Sequence, residues 1–141
     1  MKLYIPVAAG VEASVKRQLL QLGYGECPAI RGRIELEGDW KDVARLNVCL
    51  RAGERVLIGV GEFPSPDFDA LFTGVSALPW EEFLSPRSRI LMDGKCVKSN
   101  LMAVKATGGV VKKAIAERLM KKFGTRTLDE RGERAIVGVY L

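Results

Sequence analysis

Arg33-Ile34-Glu35-Leu36-Glu37-Gly38-Asp39-Trp40 holds the two signals on which the fold turns. Ile34 and Leu36 alternate with charged residues, the period-2 pattern of a strand with one face in a core and one in water. Gly38 breaks the run. Asp39 follows, and its carboxylate can accept the free N–H groups of a first helical turn. The spacing predicts a helix over Trp40–Leu50, with Val43, Leu46, Val48 and Leu50 available for packing. Just upstream, Arg31-Gly32 separates Glu26–Ile30 from Arg33–Glu37, so these two segments read as strands of a tight hairpin.

Outward from this segment the pattern repeats. Lys2–Val7 is a short apolar run bounded by Gly10 and reads as a first strand. Val11, Val15, Leu19 and Leu22 recur at helical spacing and predict a helix over Val11–Leu22, stopped by Gly23. Arg55–Phe63 reads as a fourth strand, with Val56, Ile58 and Val60 on one face. The order β-α-β-β-α-β within about 60 residues is the split-βαβ, ferredoxin-like arrangement. It predicts a four-stranded sheet with helices 11–22 and 39–50 on one face.

Pro64-Ser65-Pro66 is the candidate linker, because two prolines cannot continue a strand ladder. Beyond it, Asp67 caps a helix running to about Ala77, and Pro79–Leu84 forms a second short helix with proline in its first turn. Arg89–Met92 is a strand, and residues 93–106 are irregular or partly helical. Gly109–Phe123 has the strongest helical period in the chain, with Val111, Ala114, Ile115, Leu119 and Phe123 as its apolar set and Gly124 as its stop. Ala135–Leu141 is an apolar strand, read as buried. The expected fold class is therefore α+β: two small α/β sandwich units, residues 1–63 and 67–141, sharing no sheet. A domain rarely ends on a buried apolar strand, so a fragment of a larger protein is expected.

The chain has 141 residues, 48% of them apolar, 28% charged, and none of them histidine. A chain this long buries roughly two-thirds of its unfolded surface and needs no metal or disulfide staple. Without histidine there is no Ser-His-Asp or Cys-His nucleophile and no histidine-containing zinc site. Cys27, Cys49 and Cys96 are far apart and form no C-x-x-C, so they read as reduced, buried thiols of a cytoplasmic protein. No apolar run reaches the length of about 18 residues that spans a membrane. The start of the chain faintly mimics a signal peptide, but Glu12, Lys16 and Arg17 follow at once, and it reads as a strand.

Charge is unevenly spread. Residues 1–85 carry 9 basic and 12 acidic side chains, a net of −3, whereas residues 86–126 carry 11 basic and 2 acidic, a net of +9. Such a block points to a polyanion, and RNA is the expected partner. No glycine-rich nucleotide fingerprint is present. The carboxylate pairs Glu81-Glu82 and Asp129-Glu130 read as solvated charges, so no catalytic and no metal-binding residue is assigned. What remains is a binding set of Lys95, Lys98, Ser99, Lys105, Lys112 and Lys113. Thr107-Gly108-Gly109 reads as the entry to the long helix, where backbone N–H groups favour an anion. Lys112 and Lys113 would then lie in the first turns, against the preference of the helix dipole, which suggests a phosphate there. Phe63, Phe68, Phe72, Trp80 and Phe83 read as core and not as a base-stacking platform, so backbone and shape recognition of structured RNA is expected.

Several segments resemble a known family. Gly38-Asp39-Trp40-x-x-x-Ala44-Arg45-Leu46-Asn47, Leu50-Arg51 and Arg55-Val56 come first. Phe68-x-x-Leu71-Phe72-x-Gly74-Val75 and Pro79-Trp80-Glu81 follow. Asp93-Gly94-Lys95-Cys96-Val97-Lys98-Ser99 and Val110-Val111-Lys112-Lys113-Ala114-Ile115 complete the set. Together they resemble the amino-terminal ferredoxin-like and THUMP domains of S-adenosylmethionine-dependent rRNA guanine-N2 methyltransferases. The resemblance implies an RNA-binding module that presents structured rRNA. It also implies a methyltransferase domain after residue 141 that holds S-adenosylmethionine. The closing THUMP strand, the cofactor glycine motif and the catalytic Pro-Pro-aromatic motif of that family are not in this sequence. The chain by itself is thus expected to hold no cofactor. The alternative is a free-standing regulatory or protein-interaction α/β domain with a basic surface.

Overall fold

The computed structural model of the chain describes residues 1–30, 32–95 and 104–140, with backbone alone for 94, 95, 104 and 105. It divides into two compact units, Met1–Val60 and Gly61–Leu141.

The first unit runs β1 (Lys2–Pro6), α1 (Glu12–Gln21), β2 (Ala29–Ile30), β3 (Arg33–Glu37), α2 (Trp40–Cys49) and β4 (Leu57–Ile58). The sheet order is β2-β3-β1-β4, antiparallel throughout, which is the expected split-βαβ arrangement. Register sets Leu3 opposite Leu36 and Ile5 opposite Ile34. Val15 and Leu19 of α1 and Leu46 of α2 close over that face. Each such enclosed aliphatic side chain contributes about 1.5–3 kcal/mol relative to exposure. A one-residue slip of β3 would exchange Ile34 and Leu36 for glutamates, so burial fixes the register.

Asp39 caps α2 as expected. Its carboxylate accepts from the N–H groups of Lys41 (2.8 Å) and Asp42 (3.0 Å), and Asp42 accepts in return from the Asp39 N–H (2.8 Å). The other Asp42 oxygen accepts the Tyr24 hydroxyl at 2.8 Å.

Two expected strands are far shorter than the apolar pattern suggested. Glu26–Ile30 reduces to Ala29–Ile30, because Gly25 turns the chain at φ +69° and Pro28 has no N–H to donate. Arg55–Phe63 reduces to Leu57–Ile58, flanked by single hydrogen bonds from the Glu54 N–H to Pro6 (3.1 Å) and from the Gly59 N–H to Lys2 (2.9 Å). Both are edge strands, where hydrophobic alternation marks the buried face but not the end of the ladder. Cys27 is buried as expected, and burial pushes its thiol up; Cys49, ending α2, is exposed, contrary to expectation, and Cys96 lies outside the described residues.

The second unit runs α3 (Phe68–Ala77), a single 3-10 turn at Trp80–Glu82, β5 (Arg89–Lys95), α4 (Val104–Phe123) and β6 (Arg134–Tyr140). β5 and β6 pair in parallel, Arg89 opposite Arg134 through Lys95 opposite Tyr140, with α4 in the connection between them. Leu71 and Val75 of α3, Trp80, Leu84, Ile90 of β5, and Val111, Ala114, Ile115 and Leu119 of α4 form the core. The Trp80 indole N–H donates to the Val75 carbonyl at 2.7 Å, serving a carbonyl near the end of α3.

The expected Pro79–Leu84 helix reduces to the turn at Trp80–Glu82, β5 continues past Met92 to Lys95, and three further details depart from the expectations. α4 begins at Val104, about five residues before Gly109. Phe123, placed in the apolar set, is exposed in the last helical position. β6 is not buried on both faces: Ala135, Val137 and Val139 are half-buried, while Arg134, Ile136, Gly138 and Tyr140 face water.

Candidate nucleic-acid interface

The described part of the cationic block falls on β5, on α4 and on the residues just before β5 and just after α4. Of the six expected site residues, Lys95 ends β5 and Lys105 lies in the first turn of α4. Lys98 and Ser99 lie outside the described residues. Lys105 and Lys112, seven residues apart, share one face of α4, and Lys113 is turned away from Lys112 by about 100°. Lys112 Nζ is 2.9 Å from Glu130 Oε1, and Lys113 Nζ is 3.9 Å from Glu117 Oε1. Solvent-facing pairs of this kind contribute about 0–1 kcal/mol, so a phosphate can replace either carboxylate at little cost.

The glycine entry is not a helix terminus. With α4 starting at Val104, Thr107, Gly108 and Gly109 lie inside the helix, and Thr107 is buried. Their position removes the argument for an anion at those N–H groups. Lys112 and Lys113 then fall in the third turn, where the helix dipole no longer acts strongly. Gly108 lies over Met92 of β5, where an added Cβ would make only ordinary contact at 3.5 Å, and around Gly109 there is open space.

The carboxylates read as solvated are mostly engaged. Arg118 donates to both Glu81 oxygens (2.7 and 3.1 Å) and Lys122 stands 3.6 Å away, which holds the Glu81 carboxyl down to about 2. Arg131 donates to both Asp129 oxygens (2.7 and 3.2 Å), and Arg87 Nε lies 3.9 Å from one of them. The hydrogen bonds from Arg131 hold the Asp129 carboxyl below its ordinary range. Glu133 accepts from the hydroxyls of Ser88 (2.5 Å) and Ser85 (2.9 Å), and the Ser88 bond lowers its carboxyl most. Backbone bonds from Arg89 to Glu133 and from Gly132 to Arg87, each 2.8 Å, tie the two loops together.

These contacts tie together the entrance of the β5–β6 ladder, and the side chains of the two arginines of its first rung take no part in them. Arg89 and Arg134, both exposed and directly opposite, make no ion pair among the described residues. They were not singled out from the sequence, because nothing local marks which residues a parallel ladder sets side by side. The available signal was the strand-helix-strand order, whose crossover brings the starts of two parallel strands together. Among the described residues no group of three or more acidic or thiol side chains gathers where a metal could sit, and no described helix is long and apolar enough to cross a membrane.

Residues 2–57 match the RlmL ferredoxin-like domain, and residues 65–141 match the THUMP domain. Over 127 residues the chain is 36% identical to "Putative RNA methyltransferase YpsC" of Bacillus subtilis (strain 168), an alignment covering 88% of this chain and 33% of that protein. Among solved structures, a "predicted N6-adenine-specific DNA methylase" from Listeria monocytogenes str. 4b F2365 superposes with a TM-score of 0.92 at 37% identity, covering 99% of this chain and 37% of that one. SMU.472, described as "a putative methyltransferase complexed with SAH", gives 0.92 at 35% identity, covering 99% and 38%. The chain thus spans between 33% and 38% of the length of these relatives.

Proposed function

Since the chain belongs to the THUMP family and carries an RlmL ferredoxin-like domain ahead of its THUMP domain, we propose that it is the RNA-binding part of an RNA methyltransferase. The observation that carries this reading is a coincidence of position. The block of residues 86–126, with its net charge of +9, falls inside the THUMP match at 65–141. A relative named as an RNA methyltransferase supports it. The substrate we propose is structured rRNA, presented to a catalytic domain in the remainder of the full-length protein. Lys95, Lys98, Ser99, Lys105, Lys112 and Lys113 contact its phosphates, which positions the RNA without reading its sequence.

The cofactor of that whole protein would be S-adenosylmethionine, in keeping with the SAH complex of one structural neighbour. The described residues do not fit it. Within the first unit two strand-to-helix turns carry glycine, at Gly10 and Gly38, and the chain's own carboxylates occupy both; in the longer stretch between Ile58 and Phe68, Gly59 and Gly61 lie against the side chains of Tyr4 and Leu78. Glu12 accepts from the Gly10 N–H at 2.8 Å, and Asp42 Oδ2 lies 3.0 Å from where a Cβ on Gly38 would be. No catalytic step is therefore routed through these residues.

The test is fluorescence anisotropy of a labelled rRNA stem-loop across a salt series, with duplex DNA of the same sequence as competitor. Affinity should fall steeply with salt, and Lys112→Ala and Lys113→Ala should each lower the log–log slope by about 1. Lys41→Ala, on α2, should leave it unchanged. If all three variants behave alike, the basic block is a solvated face. If the DNA competes on equal terms, the RNA assignment fails.

A further inference from the structure

The β5–β6 register sets Arg89 directly opposite Arg134. Their backbones are about 4.8 Å apart, as in any ladder, and like charges so placed destabilise a sheet. Both side chains face water, and neither makes an ion pair among the described residues. Nearby, the chain shows how it treats such a pair when it neutralises one: Asp129 stands between Arg131, bound through both oxygens, and Arg87 at 3.9 Å. Among the described residues no carboxylate does the same for Arg89 and Arg134. Glu133, next to Arg134, is committed to the hydroxyls of Ser85 and Ser88. Asp93 shares the face of Arg89 but lies four residues along the strand, about 13 Å away, beyond the row of Leu91 and Ile136.

We infer that Arg89 and Arg134 together hold one phosphate of the RNA backbone on the open face of the β5–β6 sheet, a step that rests on the RNA-binding reading above. Two guanidinium groups on adjacent strands can converge on one tetrahedral anion, each donating a pair of N–H bonds. The repulsion between them in the free protein is relieved when the anion arrives. The site lies on the sheet, apart from the helical lysines, and its arginines act as phosphate clamps without base preference.

The experiment uses the whole chain as Arg89→Gln/Arg134→Gln, as Arg134→Glu, and as Arg131→Gln for comparison. Circular dichroism confirms that each is folded. RNA affinity of the double variant should fall about tenfold, the loss of one doubly charged set of hydrogen bonds, and its salt slope should fall by about 1. Arg134→Glu should lose binding similarly while melting at a higher temperature, since it turns a repulsive cross-strand pair into an attractive one. A merely structural role would lower melting temperature and binding together. Arg131→Gln should keep the wild-type slope. In parallel, inorganic tripolyphosphate should raise the melting temperature of the wild type and not of the double variant. An unchanged slope in the double variant, with wild-type RNA binding intact, overturns the arginine site and leaves the RNA reading standing. If the wild type binds no RNA, the RNA reading fails. The tripolyphosphate shift then decides alone: its loss in the double variant supports the arginine pair as a phosphate site, and an equal shift in both proteins overturns it.

Discussion

Glu81 shows what a single side chain contributes in the second unit. Arg118 binds it through both oxygens, and the same arginine reaches the Ser76 carbonyl at 3.4 Å, so one guanidinium joins α4 to the end of α3 and the turn after it. The carboxyl is held down from its ordinary 4.5 to about 2, first by the Arg118 hydrogen bonds. A carboxylate that titrates lower in the folded chain than in the unfolded one stabilises the fold above its ordinary range. That contribution is lost as pH falls from 4.5 toward about 2. Glu81→Gln should therefore melt below the wild type at neutral pH, and the gap should close across that acid window in thermal melts. A constant gap at every pH would show that the ion pair is not the cause. Glu81 is also where residue-level reading fell short. Adjacent acids in a turn look solvated because the partner, Arg118, is 37 positions away in sequence. Trp80, by contrast, was legible as core, since an indole beside a proline turn among apolar neighbours has few other uses.

At the level of elements, α2 and α4 behave differently for a stated reason. α2 announces its start with Asp39, which caps it as read, and the structure adds Asp42, whose side chain completes a capping box. Asp39→Ala should cost about 1 kcal/mol, seen as a lower midpoint in urea with an unchanged slope. α4 begins at Val104, and its internal Gly108-Gly109 imitates a helix entry. Gly109 sits mid-helix in open space, so Gly109→Ala should stabilise the protein by about 1 kcal/mol. If RNA must approach the backbone there, the same variant should bind more weakly while being more stable; equal binding would free the glycine of any part in recognition. The strand interiors were legible from alternation at Ile34 and Leu36, and from the apolar residues of β6. The β5–β6 register was not, because a parallel ladder has no turn whose residues could reveal it. Arg89 and Arg134 stayed out of the candidate site on that account.

At the level of the whole molecule, each unit owns a core. Leu3, Ile5, Val15, Leu19, Ile34 and Leu46 enclose one another within residues 1–60. Residues 1–60 alone should therefore melt cooperatively, although a chain this short buries only about 60% of its unfolded surface and sits near the margin. Calorimetry of that fragment checks this, and a broad non-cooperative trace would sink it. The second unit has a different history on the way to its native state. Arg89 and Arg134 stand side by side but are about 45 residues apart along the chain, so their ladder closes a long loop, and the entropy of closure falls on that step. α4 is built from near neighbours and can form first; the strands can meet only afterwards. Two like charges are brought together in that same closing event. Refolding of this unit should thus quicken with added salt or phosphate, while the β2–β3 hairpin, whose arms are joined by a short turn, should form at a rate indifferent to either.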